Sequence, residues 1–363
     1  MKNMKGKACA SVHSTQELAD YLGLSRWTVS RAINGHASVN SKTRERVDQA
    51  IRELGFSRNP FALGLRGART GIIGVCFQEF ETPMLARKTW VLQKILHSFG
   101  YQVLIELANV DALQEQQVLQ NFMVFKVDGI VLAGSLSRKG SSIIKKLSES
   151  RMPVVAIDPR FALPFQEVSS DRSGLMQTVF EHLYEQGHRS FVTFGIDERV
   201  AYGAVRIKGI RAFAKDRRLE IGKDIHIFET RKSVHLDQQY GYDQANEFMA
   251  LKPRPTAIVT MNDQIAQGAI KHLYDVGIKI PRDVSIVGFD DLKEARFCIP
   301  ALTTCTPKEE VLMQAVVERL VDQIEKKSSR PLSKKLLNEN SRTLIQPELV
   351  IRQSTSAPRS IQS

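Results

Sequence analysis

A chain of 363 residues, 42% hydrophobic and 25% charged, is long enough for two or three domains with sizeable cores and has an ordinary globular composition. Its formal net charge of +12 is uneven: residues 1–70 hold 12 Lys and Arg against 5 Asp and Glu, which indicates a polyanionic partner for the N-terminal part. No apolar run reaches the length of a membrane span, no signal-peptide core is present, and the four cysteines lack a CxxC, which argues against a zinc site or a disulfide framework.

The first 13 residues form a basic arm that we expect to be disordered. A helix is predicted over residues 15–22, because residues 14–17, Ser-Thr-Gln-Glu, match a capping box. Its apolar residues share one face: Leu18, Tyr21 and Leu22. Gly23 permits the positive φ of a tight turn and Ser25 is a good N-cap for a second helix, so the layout is that of a helix-turn-helix motif.

The second helix, R-W-T-V-S-R-A-I-N over Arg26–Asn34, combines an apolar back with a basic and aromatic front. The back contains Val29, Ala32 and Ile33. The front presents Arg26, Trp27 and Arg31. Arginine offers two donors to the two acceptors of guanine, so this helix suits a DNA major groove. Three helices of an ordinary bundle would not require these side chains on an exposed face.

A third amphipathic helix ending at Gly55 completes a predicted DNA-binding headpiece over residues 14–57. Its apolar positions are Val47, Ala50, Ile51 and Leu54. Residues 58–69 follow as a hinge, in which Asn59 can cap a short helix. About seven residues containing Gly64 are too few for a stable isolated helix. The segment is therefore a flexible linker, a hinge that becomes helical only on DNA, or both in different states.

From residue 70 to residue 353 the sequence alternates strands and helices, which predicts a bilobed α/β core of two parallel-sheet subdomains with a cleft between them. The predicted strands are 71–77, 102–107, 129–133, 154–157, 190–194, 225–228, 256–260, 284–288 and 347–352. The predicted helices are 83–99, 112–126, 141–149, 175–186, 202–217, 239–251 and 264–276. Trp90 is expected in the core, residues 326–340 as a loop and residues 354–363 as a disordered tail.

Polar residues follow three of the predicted core strands. Asp158, Asn262 and Asp290 each come at or just after a strand end, where open parallel sheets bind their ligands. Carboxylates and amides in a cleft suit sugar hydroxyls, which both donate and accept hydrogen bonds. The alternative for each residue is that it caps the following helix.

Motifs of enzymes are absent from the sequence. The glycines near residue 70 match neither a GxGxxG nor a phosphate loop, and there is no GxSxG elbow, HExxH or Cys/His cluster. We therefore expect no catalytic residues, no cofactor and no metal site.

Several segments together carry a specific pattern: T-Q-E-L-A-D-Y-L-G-L-S-R-W-T-V-S-R-A-I-N-G at 15–35, V-D-G-I-V-L-A at 127–133, M-P-V-V-A-I-D at 152–158, R-P-T-A-I-V-T-M-N-D-Q-I-A-Q-G-A at 254–269 and P-R-D-V-S-I-V-G-F-D-D at 281–291. On these motifs the chain resembles the lactose-repressor (LacI/GalR) family of transcription regulators over nearly its whole length. The resemblance implies a helix-turn-helix headpiece, a hinge helix and a periplasmic-binding-protein-like core, acting as a homodimer on a palindromic operator.

The resemblance also implies particular contacts. DNA contacts map to Ser25, Arg26, Trp27, Thr28, Arg31, Asn34, Ser38, Asn40, Thr43 and Leu65, the last being the hinge leucine that enters the minor groove. Effector contacts map to Pro83, Asp158, Arg206, Asn262 and Asp290. The implied function is repression of carbohydrate-utilisation genes by a cytoplasmic, nucleoid-associated protein whose operator affinity changes when a sugar-type effector binds.

The sequence departs from the family pattern at three places. The hinge reads Ala62-Leu63-Gly64-Leu65, so one basic contact is missing. The segment 305–307 is one residue short and lacks the usual glutamine, and no leucine heptad follows Arg352, so a tetramer is not expected.

Three alternatives remain open at this point. A periplasmic sugar-binding protein would share the core but would need a signal peptide and no headpiece. A sugar kinase or other sugar enzyme would need a phosphate loop or catalytic cluster. Within the regulators, a member that binds a purine or another metabolite as corepressor, similar to the purine repressor, is the alternative to a sugar-responsive one.

Overall fold

The computed structural model describes residues 12, 14–33, 36, 38–56, 69–79, 82–199, 202–230, 235–329 and 342–359. The chain divides into two compact units. The first contains the N-terminal residues to Ile72 with Asn121–Asp128, and the second contains the remainder.

The N-terminal helices form where the sequence predicts them: α1 (Thr15–Leu22), α2 (Arg26–Ile33) and α3 (Ser41–Leu54). The Ser14 hydroxyl accepts a hydrogen bond from the Glu17 amide at 3.1 Å, and Gly23 ends α1 with a φ of 63°. The three helices close on one small core: Leu18, Ala19, Val29, Ala32, Val47, Ala50 and Phe56. Tyr21, predicted on the apolar face of α1, is instead 58% exposed.

The predicted arm and hinge fall mostly outside the described residues. Val12 is described, and it packs against the headpiece core, so the expected disorder is wrong for this residue. The hinge alternatives remain open, since of residues 58–69 only Arg69 is described.

The first lobe of the core is built around a six-stranded sheet with the order β11-β5-β4-β3-β1-β2. Its strands are β1 (Ile72–Phe77), β2 (Gln102–Leu107), β3 (Gly129–Ala133), β4 (Val154–Ile157), β5 (Gln166–Ser170) and β11 (Arg342–Ile345). Its helices are α4 (Pro83–Ser98), α5 (Ala112–Val124), α6 (Ser142–Glu149) and α11 (Glu309–Ser329). Strands β1, β3, β4, β5 and β11 pair in parallel, as predicted for the core.

The second lobe contains a four-stranded parallel sheet with the order β7-β6-β8-β9. Its strands are β6 (Phe191–Phe194), β7 (Ile225–Ile227), β8 (Ala257–Thr260) and β9 (Ser285–Val287). Its helices are α7 (Arg172–Glu185), α8 (Gly203–Arg217), α9 (Gln238–Met249) and α10 (Asp263–Asp275). Alternate strand residues bury against opposite faces, Phe191 on one and Val192 on the other. A small antiparallel pair completes the lobe: β10 (Thr304–Thr306) and β12 (Glu348–Val350).

The chain passes between the lobes three times, from β5 to α7, from β10 to α11 and from β11 to β12. The crossings are tied to one another. The Asp171 amide donates to the Ile345 carbonyl at 2.9 Å, and the Lys308 ammonium pairs with the Glu348 carboxylate. Because three connected segments join the lobes, they can act as a hinge with a limited set of arrangements.

Two predictions about side-chain and chain-end placement are wrong. Trp90 is 59% exposed, because the buried face of α4 contains Lys88 and Leu92, which lie on the other side of the helix. The tail is ordered from residue 354 to residue 359. Ser354 is fully buried, and its hydroxyl accepts from the Thr303 amide at 2.8 Å and donates to the Ile286 carbonyl at 2.6 Å.

The predicted loop 326–340 and several strands also need correction. Residues 326–329 belong to α11, and residues 330–340 lie outside the described part. Strands β5, β10 and β11 were not predicted, because their sequences, Q-E-V-S-S, T-C-T and R-T-L-I, lack an apolar run.

Candidate DNA-binding helix and interlobe cavity

The start of α2 is fixed by local hydrogen bonds. The Ser25 hydroxyl accepts from the Thr28 amide at 3.0 Å and lies 2.8 Å from the Thr28 hydroxyl. Val29 is fully buried and Ala32 nearly so, which holds the back of the helix against the headpiece core. The same packing sets which side chains of α2 face outward.

The outward face of α2 presents an ordered aromatic and basic pair. Trp27 is 64% exposed, and the guanidinium carbon of Arg31 lies 3.9 Å from the centroid of its ring. Arg31 Nη1 also donates to the Ser38 hydroxyl at 2.9 Å. Arg26 is exposed on the same helix. Arg31 itself is half-buried, and an arginine held in place by an aromatic ring loses less freedom when it contacts a base edge.

The structure describes only some of the other predicted DNA contacts. Asn40 caps α3, with its Oδ1 accepting from the Thr43 amide at 2.7 Å. Thr43 is half-buried, and Ser38 and Asn40 are exposed. Asn34 and Leu65 lie outside the described residues.

A cavity of about 400 Å³ lies between the two lobes of the core. Four of the five residues predicted for an effector line it: Asp158, Arg206, Asn262 and Asp290. Pro83 does not; it is exposed at the first position of α4, while its neighbours Thr82 and Met84 line the cavity.

Asp158 is engaged by Arg172, a residue that the sequence analysis did not identify. Arg172 donates to both carboxylate oxygens of Asp158, at 2.6 Å and 2.8 Å, and the Ser170 amide donates to Oδ1 at 3.0 Å. Burial alone would raise the pKa of Asp158, but the charge and hydrogen bonds of Arg172 outweigh burial and lower this pKa to about 2. Asp158 lines the cavity, and its predicted contact with an effector stays a prediction, now with Arg172 bound to both of its carboxylate oxygens.

Tyr202 stands beside this ion pair. Arg172 lies over its ring at 4.4 Å, and burial raises the pKa of its phenol to about 12. Tyr202 belongs to the second lobe, yet its hydroxyl approaches Gly134 of the first lobe so closely that a Cβ there would lie 2.9 Å away. Gly134 has a φ of 66°, so both its backbone and its surroundings favour glycine.

Two buried cations face the cavity from opposite lobes. Arg206, on α8, is 7% exposed, and its Nε and Nη1 atoms have no hydrogen-bond partner in the described part of the chain. Lys88, on α4, is 5% exposed and likewise has no hydrogen bond or ion pair with any described residue. Burial lowers the pKa of both groups, that of Arg206 to about 10, with the charge of Arg172 as the next cause for Arg206.

Asp290 also lines the cavity, and the charges of both cations act on its carboxyl. Burial raises the pKa of its carboxyl to about 7, although the charges of Arg206 and Lys88 oppose that shift. Its backbone has a φ of 118°, a conformation that residues other than glycine rarely adopt.

Asn262 lines the cavity, but its side chain is committed to structure. Its Oδ1 caps α10 by accepting from the Ile265 amide at 2.8 Å, and its Nδ2 donates to the Leu236 carbonyl at 2.8 Å. For this residue the capping alternative is confirmed.

A sequence signal existed for one of the missed residues. Lys88 lies three and four positions before Val91 and Leu92, so it occupies the buried stripe of α4, where a lysine is out of place. Arg172 carried no such signal, because its partner is 14 residues away and meets it only in the folded core.

Comparison with known proteins agrees with this architecture. Residues 14–59 match the model for bacterial regulatory proteins of the lacI family, and residues 180–355 match the periplasmic binding protein-like domain. The HTH-type transcriptional regulator DegA of Bacillus subtilis is 29% identical over 345 residues, covering 94% of this chain and 97% of the relative. The ribose operon repressor of Haemophilus influenzae is 29% identical over 350 residues, covering 93% and 97%. The repressor PurR of Mannheimia succiniciproducens is 27% identical over 346 residues, with the same coverage.

The fold is that of a solved lactose repressor. The lac repressor dimer bound to operator and the anti-inducer ONPF superposes with a TM-score of 0.80 at 22% identity, covering 95% of this chain and 99% of that chain. None of the described helices is long and apolar enough to cross a membrane.

A helix-turn-helix unit joined to a ligand-cleft core defines a DNA-binding transcription regulator that responds to a small molecule. The chain belongs to the LacI family of bacterial regulators. Its relatives are transcription regulators and not enzymes, and its helix-turn-helix headpiece argues against a periplasmic binding protein.

Proposed function

We propose that this regulator represses carbohydrate-utilisation genes by binding a palindromic operator as a homodimer. The observation that carries the DNA-binding half is the outward face of α2, where Trp27 and Arg31 are stacked and Arg26 is exposed. One short helix covers too few base pairs for specificity, so two headpieces must act together.

The proposed DNA contacts divide by their chemistry. Arg26, Trp27 and Arg31 read base edges, while the backbone is contacted through Ser25, Thr28, Asn34, Ser38, Asn40 and Thr43. Leu65 is proposed to enter the minor groove at a central step once the hinge becomes helical on operator. The Leu65 and Asn34 assignments rest on the family motif alone.

The proposed effector site is the interlobe cavity. A molecule there would touch Arg206 and Asp290 from the second lobe and Lys88 from the first, with Asn262 at its wall. It would favour one arrangement of the three interlobe crossings, and it would change operator affinity only by its differential affinity for the two arrangements. A coupling of about 1–3 kcal/mol would change operator affinity roughly 5- to 150-fold.

The effector is proposed to be a sugar or sugar derivative. The ribose operon repressor among the relatives supports this class, and the polar cavity suits hydroxyl groups. The PurR relatives favour the alternative, a purine or similar metabolite that acts as a corepressor.

Selection of bound duplexes from a random DNA pool tests the first half, and a palindrome with a conserved half-site spacing is expected. Titration calorimetry with sugars, sugar acids, sugar phosphates and purines tests the second half. Recovery of no preferred sequence would contradict the DNA-binding proposal. Binding of purines with no binding of any sugar would move the assignment to the corepressor alternative.

A further inference from the structure

The buried charges of the cavity are not balanced by the protein itself. Asp158 is the main buried anion, and both of its oxygens are taken by Arg172. Arg206 then remains with two buried nitrogens, Nε and Nη1, that have no hydrogen-bond partner in the described chain, and Lys88, 5% exposed, forms no hydrogen bond or ion pair with a described residue. A buried charge without a partner costs folding free energy, and such groups concentrate where a ligand supplies the missing partner.

Two nearby carboxylates compensate these cations only in part. Glu309 attracts Lys88, but it is itself 3.4 Å from Arg87 Nε. Asp290 attracts both cations, but burial raises its pKa to about 7, so its carboxyl is only partly ionised near neutral pH. Neither carboxylate forms a hydrogen bond or an ion pair with Lys88 or Arg206 among the described residues.

Over the whole cavity wall the numbers of charged residues are equal, since four cations and four anions line it. The rim contributes Glu79, Arg160 and Asp237, which are exposed or partly exposed, and Asp237 also accepts from the Tyr240 amide at 3.1 Å. Water screens charges at the rim far more than charges at the floor. The floor therefore decides which ligand charge is favoured, and it is cationic.

We propose that the effector carries an acidic group, a carboxylate or a phosphate, which is held between Lys88 of the first lobe and Arg206 of the second. This inference rests on the proposed function and names the chemical class of the molecule in the cavity. The guanidinium fork of Arg206 matches two oxygens of such a group, and the ammonium of Lys88 adds a point charge. The cavity of about 400 Å³ leaves room for a sugar-sized remainder.

The arrangement also explains how such a ligand would be sensed. Lys88 and Arg206 belong to different lobes, and both line the cavity. An anion that contacts both would be attracted to each lobe, so it would favour the arrangement in which the lobes approach. A neutral sugar would lack these two attractions and would need the Asp290 carboxylate as its acceptor.

The test uses inorganic sulfate as the probe, because it is fully ionised at neutral pH and has no sugar scaffold. Thermal unfolding of the full chain is followed at millimolar sulfate against chloride of equal ionic strength. The variants are Lys88→Met and Arg206→Gln. Their matched controls are Lys94→Met, an exposed lysine on α4, and Arg211→Gln, an exposed arginine on α8.

Sulfate is expected to stabilise the wild type and both controls saturably, as a ligand that binds only the folded state does. The apparent affinity should fall at least about tenfold in Lys88→Met and Arg206→Gln. The control variants measure any stabilisation that comes from sulfate binding to the headpiece or from a general effect of the salt. An equal sulfate response in all five proteins, or none beyond chloride in the wild type, would overturn the proposal.

Matched ligand pairs then separate the two acids: gluconate and glucose 6-phosphate, each against glucose. Tighter binding of gluconate assigns a carboxylate, and tighter binding of glucose 6-phosphate assigns a phosphate. Glucose binding as tightly as its acids would overturn the inference while leaving the proposed sugar-responsive regulator intact. If the wild-type protein bound no operator specifically, that result would count against the proposed function and not against the acidic ligand.

Discussion

Arg172 joins the lobes of the core by donating to both carboxylate oxygens of Asp158, at 2.6 Å and 2.8 Å. Arg172 is the first residue of α7 in the second lobe, and Asp158 follows β4 in the first. Their side chains are only 13% and 5% exposed. The pair therefore connects the lobes beside the cavity where a ligand would bind.

Arg172→Met should destabilise the core by about 3–5 kcal/mol, because it leaves the Asp158 carboxylate buried and unpaired. Urea unfolding at pH 7 measures the effect. The double variant Asp158→Asn/Arg172→Met should recover much of the loss, since no charge is then left buried. A double variant as unstable as the single one would show that the residues do not act as a pair.

The same pair should make part of the stability depend on acid pH. The folded-state pKa of Asp158 is lowered to about 2 from an ordinary value near 3.8. A lowered pKa contributes stability above the unfolded value, and that stability is lost as pH falls from about 4 to about 2. Asp158→Asn should flatten the urea midpoint over this window, whereas an unchanged slope would contradict the assignment.

The recognition face of α2 gives the sharpest test of DNA binding. Arg31→Ala should cost about 1–3 kcal/mol on the selected operator and relax the preference at one position per half-site. Trp27→Ala should cost part of the same energy through Arg31, because the two side chains stack at 3.9 Å. Fluorescence anisotropy with operator and with scrambled duplex measures both losses.

Arg52→Ala is the matched control, since Arg52 is exposed in the last turn of α3 and is not a proposed contact. It should lower affinity for both duplexes equally, if at all. If Arg31→Ala behaves like Arg52→Ala, the assignment of the recognition helix is wrong.

The elements that sequence reasoning placed well are those fixed by local signals. The cap at Ser14, the turn at Gly23 and the cap at Ser25 involve residues within a few positions of one another, so the pattern alone located the first two headpiece helices. The long apolar strands of the core were found for the same reason. The short polar strand β5 was missed, because neighbouring strands of the sheet, and not its own residues, make it a strand.

The candidate cavity shows where local reasoning stops. The strand-end rule correctly brought Asp158 and Asp290 to the cavity. It did not reveal that Arg172 donates hydrogen bonds to the carboxylate of Asp158, or that the side chain of Asn262 caps α10. Such pairings depend on which distant side chains meet after folding, and one sequence does not specify them. A resemblance carries over a residue's position more safely than its chemical role.

We expect the charge of Lys88 to lower the stability of the folded protein. Its ammonium is buried without a hydrogen bond or ion pair in the described chain, and burial lowers its pKa. Lys88→Met retains the stem and removes the charge, so thermal unfolding should show stabilisation by about 0.5–2 kcal/mol. Lys94→Met should be nearly neutral, because Lys94 is exposed. Clear destabilisation by Lys88→Met would indicate a structural role for the lysine.

The proposed homodimer needs a covered surface, and one loop of the second lobe is a candidate. Phe297 and Ile299 are 83% and 89% exposed, and large neighbouring apolar side chains on a surface mark an interface. Phe297→Glu should raise the dimer dissociation constant at least about tenfold in sedimentation velocity and weaken operator binding, since paired headpieces are required. Ile221→Glu, at a 42% exposed position of the same lobe, serves as the control. A dimer unaffected by Phe297→Glu would place the interface elsewhere.

The last prediction concerns pH and the ligand's charge. Asp290 has a pKa raised to about 7, and the charged groups that act on it include Arg206, Lys88, Glu309 and Arg172, while the buried carboxyl of Asp263 also interacts with it. Below this value the carboxyl is neutral and does not repel an anion; above it, repulsion weakens binding. Sulfate affinity should therefore fall by up to about tenfold from pH 6 to pH 8.

Calorimetry at several pH values measures this fall, and Asp290→Asn should bind sulfate at pH 8 as well as the wild type does at pH 6. The variant also separates Asp290 from other titrating groups. Loss of the Lys88 charge would leave a pH dependence in Asp290→Asn, whereas titration of Asp290 would not. A neutral sugar that relies on the ionised carboxylate would show the opposite slope, with affinity rising from pH 6 to pH 8. That slope for the true effector, together with weak binding to Asp290→Asn, would contradict an acidic ligand and assign Asp290 as a hydroxyl acceptor.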